Sequence, residues 1–183
     1  VGLIGFCGAP WTVATYMIEG GTSPERANAR IAAHRGEDWF RFLIDRLVEA
    51  SVEYLSRQVE AGAEVVQVFD TWAGDLPDGL CEQYCFDPIR RICEQVKAKH
   101  PGTPVIGFAR GIGARQKEFA LESRVDAIGL EWAYPVALAR EELQSSVVVQ
   151  GNLDPLVLMS DRDKIRDRTF NVVSGLDRQR HIM

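Results

Sequence analysis

Long apolar runs are missing from this 183-residue sequence, and none approaches the ~20 residues that a membrane-crossing helix needs. Nothing resembles a secretory signal, because the chain opens at Val1 on a short strand-like run. An excess of basic residues is also missing. The formal net charge is −5, and no basic stripe of the kind a nucleic-acid binder carries is visible. That sign gives a polyanionic small molecule nothing to gain from the overall field, so such a ligand would need a local arginine clamp. Histidine is scarce at three residues, and no Ser/His/Asp or Cys/His grouping suggests itself. The four cysteines (Cys7, Cys81, Cys85, Cys93) lack disulfide-scaffold spacing, which points to a reducing cytoplasm. Cys81 and Cys85 stand four apart with no histidine near, so buried thiols are expected rather than metal ligands. No Pro- or Ser-rich linker, charge block or low-complexity tract divides the chain, and we expect one domain over residues 1–183.

What is present is an alternation of short apolar runs with helical periodicity. Val1 to Cys7 reads as a strand buried on both faces. Gly8-Ala9-Pro10 turns the chain into a helix carrying Trp11, Val13, Tyr16 and Met17. Thr22-Ser23-Pro24 restarts it, with Ser23 as N-cap and a helix from Pro24 to about His34. The longest helix spans Gly36 to Ala61. Further strands are expected at Ala63 to Phe69, Pro104 to Ala109, Asp126 to Leu130 and Val147 to Gln150, with a sixth opening at Arg180. Helices are expected between them: Gly79 to Lys99 (divided at Asp87-Pro88), Ala114 to Glu122, after Pro135 to Leu143, and Asp161 to Ser174.

Strands this apolar belong to a parallel sheet covered by helices, hence an α/β fold. A dinucleotide-binding sheet should carry Gly-x-Gly-x-x-Gly, but Gln116 stands where Gly111-Ile112-Gly113 would need its third glycine. Polar or aromatic residues instead follow one strand end after another: Asp70-Thr71, Arg110, Glu131-Trp132, Asn152 and Asp154. Such a ring fits a (β/α)8 TIM barrel, here an incomplete barrel of about six β/α units. Tyr16 then reads either as the polar tip of a site wall or as a packed core tyrosine. The Thr71 hydroxyl either faces a ligand or closes a turn. Phe6 and Phe69 either line a flat apolar pocket or fill the barrel core. Arg110 either meets an anionic ligand or pairs with Asp70 or Glu131, and pairing is the reading favoured. His34 and His100 sit at helix ends, where a dipole contact or solvent explains them.

Five ordered blocks resemble the uroporphyrinogen decarboxylase family. They are Gly5-Phe6-Cys7-Gly8-Ala9-Pro10-Trp11-Thr12 with Thr15-Tyr16-Met17 and Glu19-Gly20-Gly21; Gln67-Val68-Phe69-Asp70-Thr71-Trp72-Ala73-Gly74; Val105-Ile106-Gly107-Phe108; Gly129-Leu130-Glu131-Trp132; and Val149-Gln150-Gly151-Asn152-Leu153-Asp154-Pro155. The resemblance implies a cytoplasmic β/α barrel, usually a homodimer, that uses no metal or organic cofactor. It implies removal of four acetate carboxyl groups from uroporphyrinogen III to give coproporphyrinogen III. By the same resemblance Tyr16 matches a substrate-contacting tyrosine, Thr71 a contact usually made by serine, and Phe6 and Phe69 pocket-lining positions. The family's catalytic aspartate and its Arg-Gln-Ala-Gly-Arg segment would precede Val1, and its Gly-His-Gly turn would follow Met183. On this reading the 183 residues are a fragment that lacks the principal catalytic groups, has no decarboxylase activity alone and tends to aggregate. Two other readings remain. One is a zinc- and corrinoid-dependent methyltransferase of the same barrel superfamily, although its His-x-Cys motif does not occur here. The other is a non-catalytic barrel remnant.

Overall fold

The computed structural model describes residues 2–21 and 23–183. Six strands form one parallel sheet in sequential order: β1 (Ile4–Gly8), β2 (Val65–Asp70), β3 (Val105–Ala109), β4 (Ala127–Gly129), β5 (Val148–Gln150) and β6 (His181–Ile182). Every crossover returns to the next neighbour in the same direction, and the order never reverses as it does in a doubly wound sheet. The molecule is therefore an α/β arc of a TIM barrel.

Between the strands lie α1 (Pro10–Glu19), α2 (Ala27–Arg35), α3 (Asp38–Glu60), α4 (Asp87–Lys99), α5 (Gln116–Glu122), α6 (Val136–Leu138) and α7 (Arg162–Gly175). One face of the sheet is covered by helices. Val66, Val68, Val105, Ile128 and Val149 are fully buried on it, and a side chain added at Gly107 would strike Phe119 of α5. The register puts Ile4, Phe6, Gln67, Phe69, Ile106, Phe108 and Gln150 on the opposite, inner face. Gln67 donates to Gln150 at 2.8 Å, so two inner polar side chains satisfy each other across the arc. Around Trp11 the core is aromatic: Phe40 and Tyr84 pack on its ring at 6.1 and 6.4 Å. Among the described residues no helix is long and apolar enough to cross a membrane.

Three expectations need correction. The first strand is not buried on both faces, because Gly5 and Cys7 face the helices while Phe6 stands 62% exposed on the uncovered inner face. Val1, its expected first residue, lies outside the described residues. The second helix does not begin at Pro24. The Ser23 hydroxyl accepts the Arg26 N–H at 3.0 Å, Arg26 takes a left-handed φ of 46°, and only then does α2 start at Ala27. Thr22, where that restart was expected, also lies outside the described residues. Before α4 the chain makes one turn of π-helix over Glu82–Phe86, so Asp87-Pro88 marks a change of helical pitch and not a break.

Candidate functional site

At the carboxyl ends of β1, β2 and β3 the inner face has an apolar floor and a polar rim. The floor is a row of three rings. Phe6 meets Phe69 edge-on at 6.0 Å, and Phe69 meets Phe108 at 5.8 Å. Phe69 and Phe108 are register partners, as are Asp70 and Ala109 one step further along. Asp70 and Ala109, the last residues of their strands, are fully buried toward the helices, and the turn residues Thr71 and Arg110 follow them directly. Thr71 and Arg110 line one groove of about 240 Å³, together with Arg26, Trp72 and Asp75.

Two loops hold that rim in place. The Arg110 N–H donates to the Asp70 carbonyl, and the Gly74 N–H donates to the Arg110 carbonyl, both at 2.9 Å. Only glycine allows this approach, since a Cβ at Gly74 would sit 2.7 Å from the Gly111 carbonyl oxygen. The peptide after Thr71 is clamped from α1: Trp11 Nε1 donates to the Trp72 carbonyl at 2.9 Å, and the Trp72 N–H donates to the Thr12 hydroxyl at 3.2 Å.

Thr12 in turn donates to Asp70 Oδ1 at 2.6 Å. Asp70 is wholly buried, and its Oδ2 has no hydrogen-bond partner among the described residues. Burial pushes its carboxyl up to about 6. The Thr12 hydroxyl, the Cys85 thiol and the Trp72 backbone N–H pull the other way, and nearby Asp75 adds to the rise. The Cys85 thiol is itself driven well above its usual range by burial, with Cys81 and Asp70 adding to it. Asp70 therefore works beneath the rim as a support and does not face the inner surface. Asn152 has a similar part. It is nearly buried, and its Nδ2 donates to the carbonyls of Glu131 and Tyr134 at 3.0 and 2.7 Å. Two members of the ring of polar strand-end residues expected from the sequence thus tie loops together.

Tyr16 sits on α1 with its side chain 54% exposed, outside the packed interior, and its ring meets Trp72 at 6.3 Å. It lines a neighbouring groove of about 390 Å³ with Glu19, Ser23, Arg26 and Trp72. Tyr16 and Thr71 do not share a groove. Trp72 stands between them, and Arg26 locks it there by stacking 4.1 Å over the indole while pairing with Asp75. Trp72, Arg26 and Phe108 were not singled out from the sequence. The spacing of Phe108 two residues before Arg110, matching Phe69 before Thr71, was the available signal.

Arg110 does not form the ion pair expected of it. Among the described residues it pairs with no acid: Asp70 is buried with Thr12, and Glu131 makes no ion pair. All four cysteines are free and buried, and among the described residues no three His, Cys, Asp or Glu side chains converge to hold a metal ion.

With this geometry in view, comparison with known proteins is informative. The family model described as Uroporphyrinogen decarboxylase (URO-D) matches residues 1–183. The uroporphyrinogen decarboxylase of Mesorhizobium japonicum is 47% identical over 174 residues, which cover 95% of this chain and 50% of that protein. That of Paracoccus denitrificans is 44% identical over 180 residues, 98% of this chain and 53% of the relative. That of Rhodospirillum rubrum is 46% identical over 157 residues, 86% of this chain and 45% of the relative. The chain spans about half the length of the curated relatives it matches.

Proposed function

The chain belongs to the uroporphyrinogen decarboxylase family, and from that membership we propose that residues 1–183 form one arc of a single barrel domain that decarboxylates uroporphyrinogen III. The four acetate side chains lose carbon dioxide and coproporphyrinogen III results, in haem and related tetrapyrrole synthesis. Losing carbon dioxide from an acetate on a pyrrole leaves an electron pair that needs a sink. Protonation of the pyrrole ring supplies one, so the substrate serves as its own cofactor. The protein's task is to hold the macrocycle, position an acid and stabilise the developing ring cation.

In this reading the Phe6–Phe69–Phe108 row carries the apolar face of the macrocycle, and the Tyr16 phenol and Thr71 hydroxyl contact its polar groups. The methyl of Thr71 fills space that a serine would leave open. The observation that carries the reading is the aromatic floor beneath a hydroxyl- and guanidinium-bearing rim at the strand ends. A homodimer in the cytoplasm belongs to the same reading, which calls for no nucleic-acid or membrane partner.

The test is turnover by the protein expressed from its complete open reading frame. Uroporphyrinogen III is supplied, and products are separated by carboxyl number after oxidation to porphyrins. Tyr16→Phe and Thr71→Val should each lower kcat/KM by about tenfold, the scale of one lost hydrogen bond at a partly desolvated site. No turnover by the unaltered protein, or two variants indistinguishable from it, would refute the reading.

A further inference from the structure

Three cations stand close to the mouth of the arc, and two of them are spoken for. Arg26 pairs with Asp75 and stacks on Trp72. Arg115 pairs with Asp78, Glu82 and Glu118 at 3.2, 2.8 and 3.0 Å. Arg110 is exposed and, among the described residues, has no acidic partner. Its backbone, by contrast, is held on both sides, its N–H by Asp70 and its carbonyl by Gly74. The fixed backbone anchors the base of an unpaired guanidinium at the groove, and the Thr71 hydroxyl lines the same groove. The chain's net charge of −5 repels a polyanion, so affinity for one has to come from isolated cations of this kind.

We propose that Arg110 binds a side-chain carboxylate of the substrate at the rim, with Thr71 as the neighbouring hydroxyl donor to that carboxylate. The inference rests on the decarboxylase reading above. The guanidinium offers two parallel N–H donors to one carboxylate, which sets how far the macrocycle turns over the aromatic floor. Glu131, just past the end of the neighbouring strand β4, makes no ion pair among the described residues and leaves Arg110 free for a ligand. The groove of about 240 Å³ suits a carboxymethyl or carboxyethyl arm and not the ring itself.

The experiment is steady-state kinetics with uroporphyrinogen III on the protein from its complete open reading frame, comparing Arg110→Gln and Arg110→Lys with the unaltered enzyme. Arg110→Gln should raise KM about tenfold or more while kcat falls less than threefold, the signature of binding lost equally from ground and transition states. Arg110→Lys, which keeps the charge but not the fork, should lie between them. Raising KCl from 50 to 300 mM should raise KM more for the unaltered enzyme than for Arg110→Gln. Melting temperatures within about 2 °C of the parent confirm that folding is not at issue, because the side chain has no partner to lose. A KM for Arg110→Gln within twofold of the parent overturns the inference and leaves the decarboxylase reading standing. An unaltered protein that does not turn over uroporphyrinogen removes both.

Discussion

At the scale of single residues, Asp70 and Thr71 show how one peptide step separates support from contact. Asp70 is buried with one carboxylate oxygen unpartnered, and its carboxyl is raised from 3.8 to about 6. A raised carboxyl binds its proton more tightly in the folded chain than in the unfolded one. Its stabilising contribution is therefore complete below pH 3.8 and lost as pH climbs through about 6. Above that, keeping the charge buried costs about 3 kcal/mol of folding free energy. Asp70→Asn, neutral at every pH, should melt several degrees above the parent at pH 8 and within about 1 °C of it at pH 4. Thermal unfolding at the two pH values checks this, and equal offsets at both would show that burial of the charge is not the cause. Thr12 ties the same network to the rim, since its hydroxyl serves Asp70 and the Trp72 N–H together.

At the scale of elements, the junction between the loops after β2 and β3 decides where Thr71 and Arg110 stand. Gly74→Ala would drive a methyl to 2.7 Å from the Gly111 carbonyl, which can relieve the clash only by parting the loops. The cost should be about 1–3 kcal/mol in stability. Gly102→Ala, at a glycine with nothing within 4 Å, should change stability by less than about 0.5 kcal/mol. Calorimetry on the pair separates a lost close approach from a general effect of replacing glycine.

Much of this architecture was legible in the sequence. Short apolar runs located five strands to within a few residues and the opening of the sixth, and their spacing implied β/α units. The start of α2 was not legible, because a residue at φ 46° is held by partners far away in sequence, Asp75 and Trp72. Nor could the sequence say that Asp70 is wholly buried while Thr71 lines a groove. That depends on the register β2 shares with its neighbours, which no local pattern encodes. The same dependence hid the Phe108–Arg110 pairing of floor and rim, and it led to an ion pair being expected at Arg110.

At the scale of the whole molecule, the six-stranded sheet of the described residues runs in order from an edge at β1 to an edge at β6, with Ile4 and Phe6 exposed on its inner face. The β1 edge is partly blunted from α3. Gln58 Oε1 accepts the Phe6 N–H at 2.8 Å and Gln58 Nε2 donates to the Phe6 carbonyl at 3.1 Å, a side chain standing in for a strand. Phe6 itself remains 62% exposed beside that edge, and Ile4 is exposed next to it. A sheet edge capped at one residue only and flanked by exposed apolar side chains is a template for a second copy. The 183-residue chain on its own should therefore associate as its concentration rises, read as an increasing mass by light scattering during size exclusion. Phe6→Lys, which puts a charge on the edge and removes one ring of the floor, should return it toward the monomer mass of 20.4 kDa. A chain that stays monomeric across a hundredfold range of concentration would mean that Gln58 alone is enough to close the β1 edge.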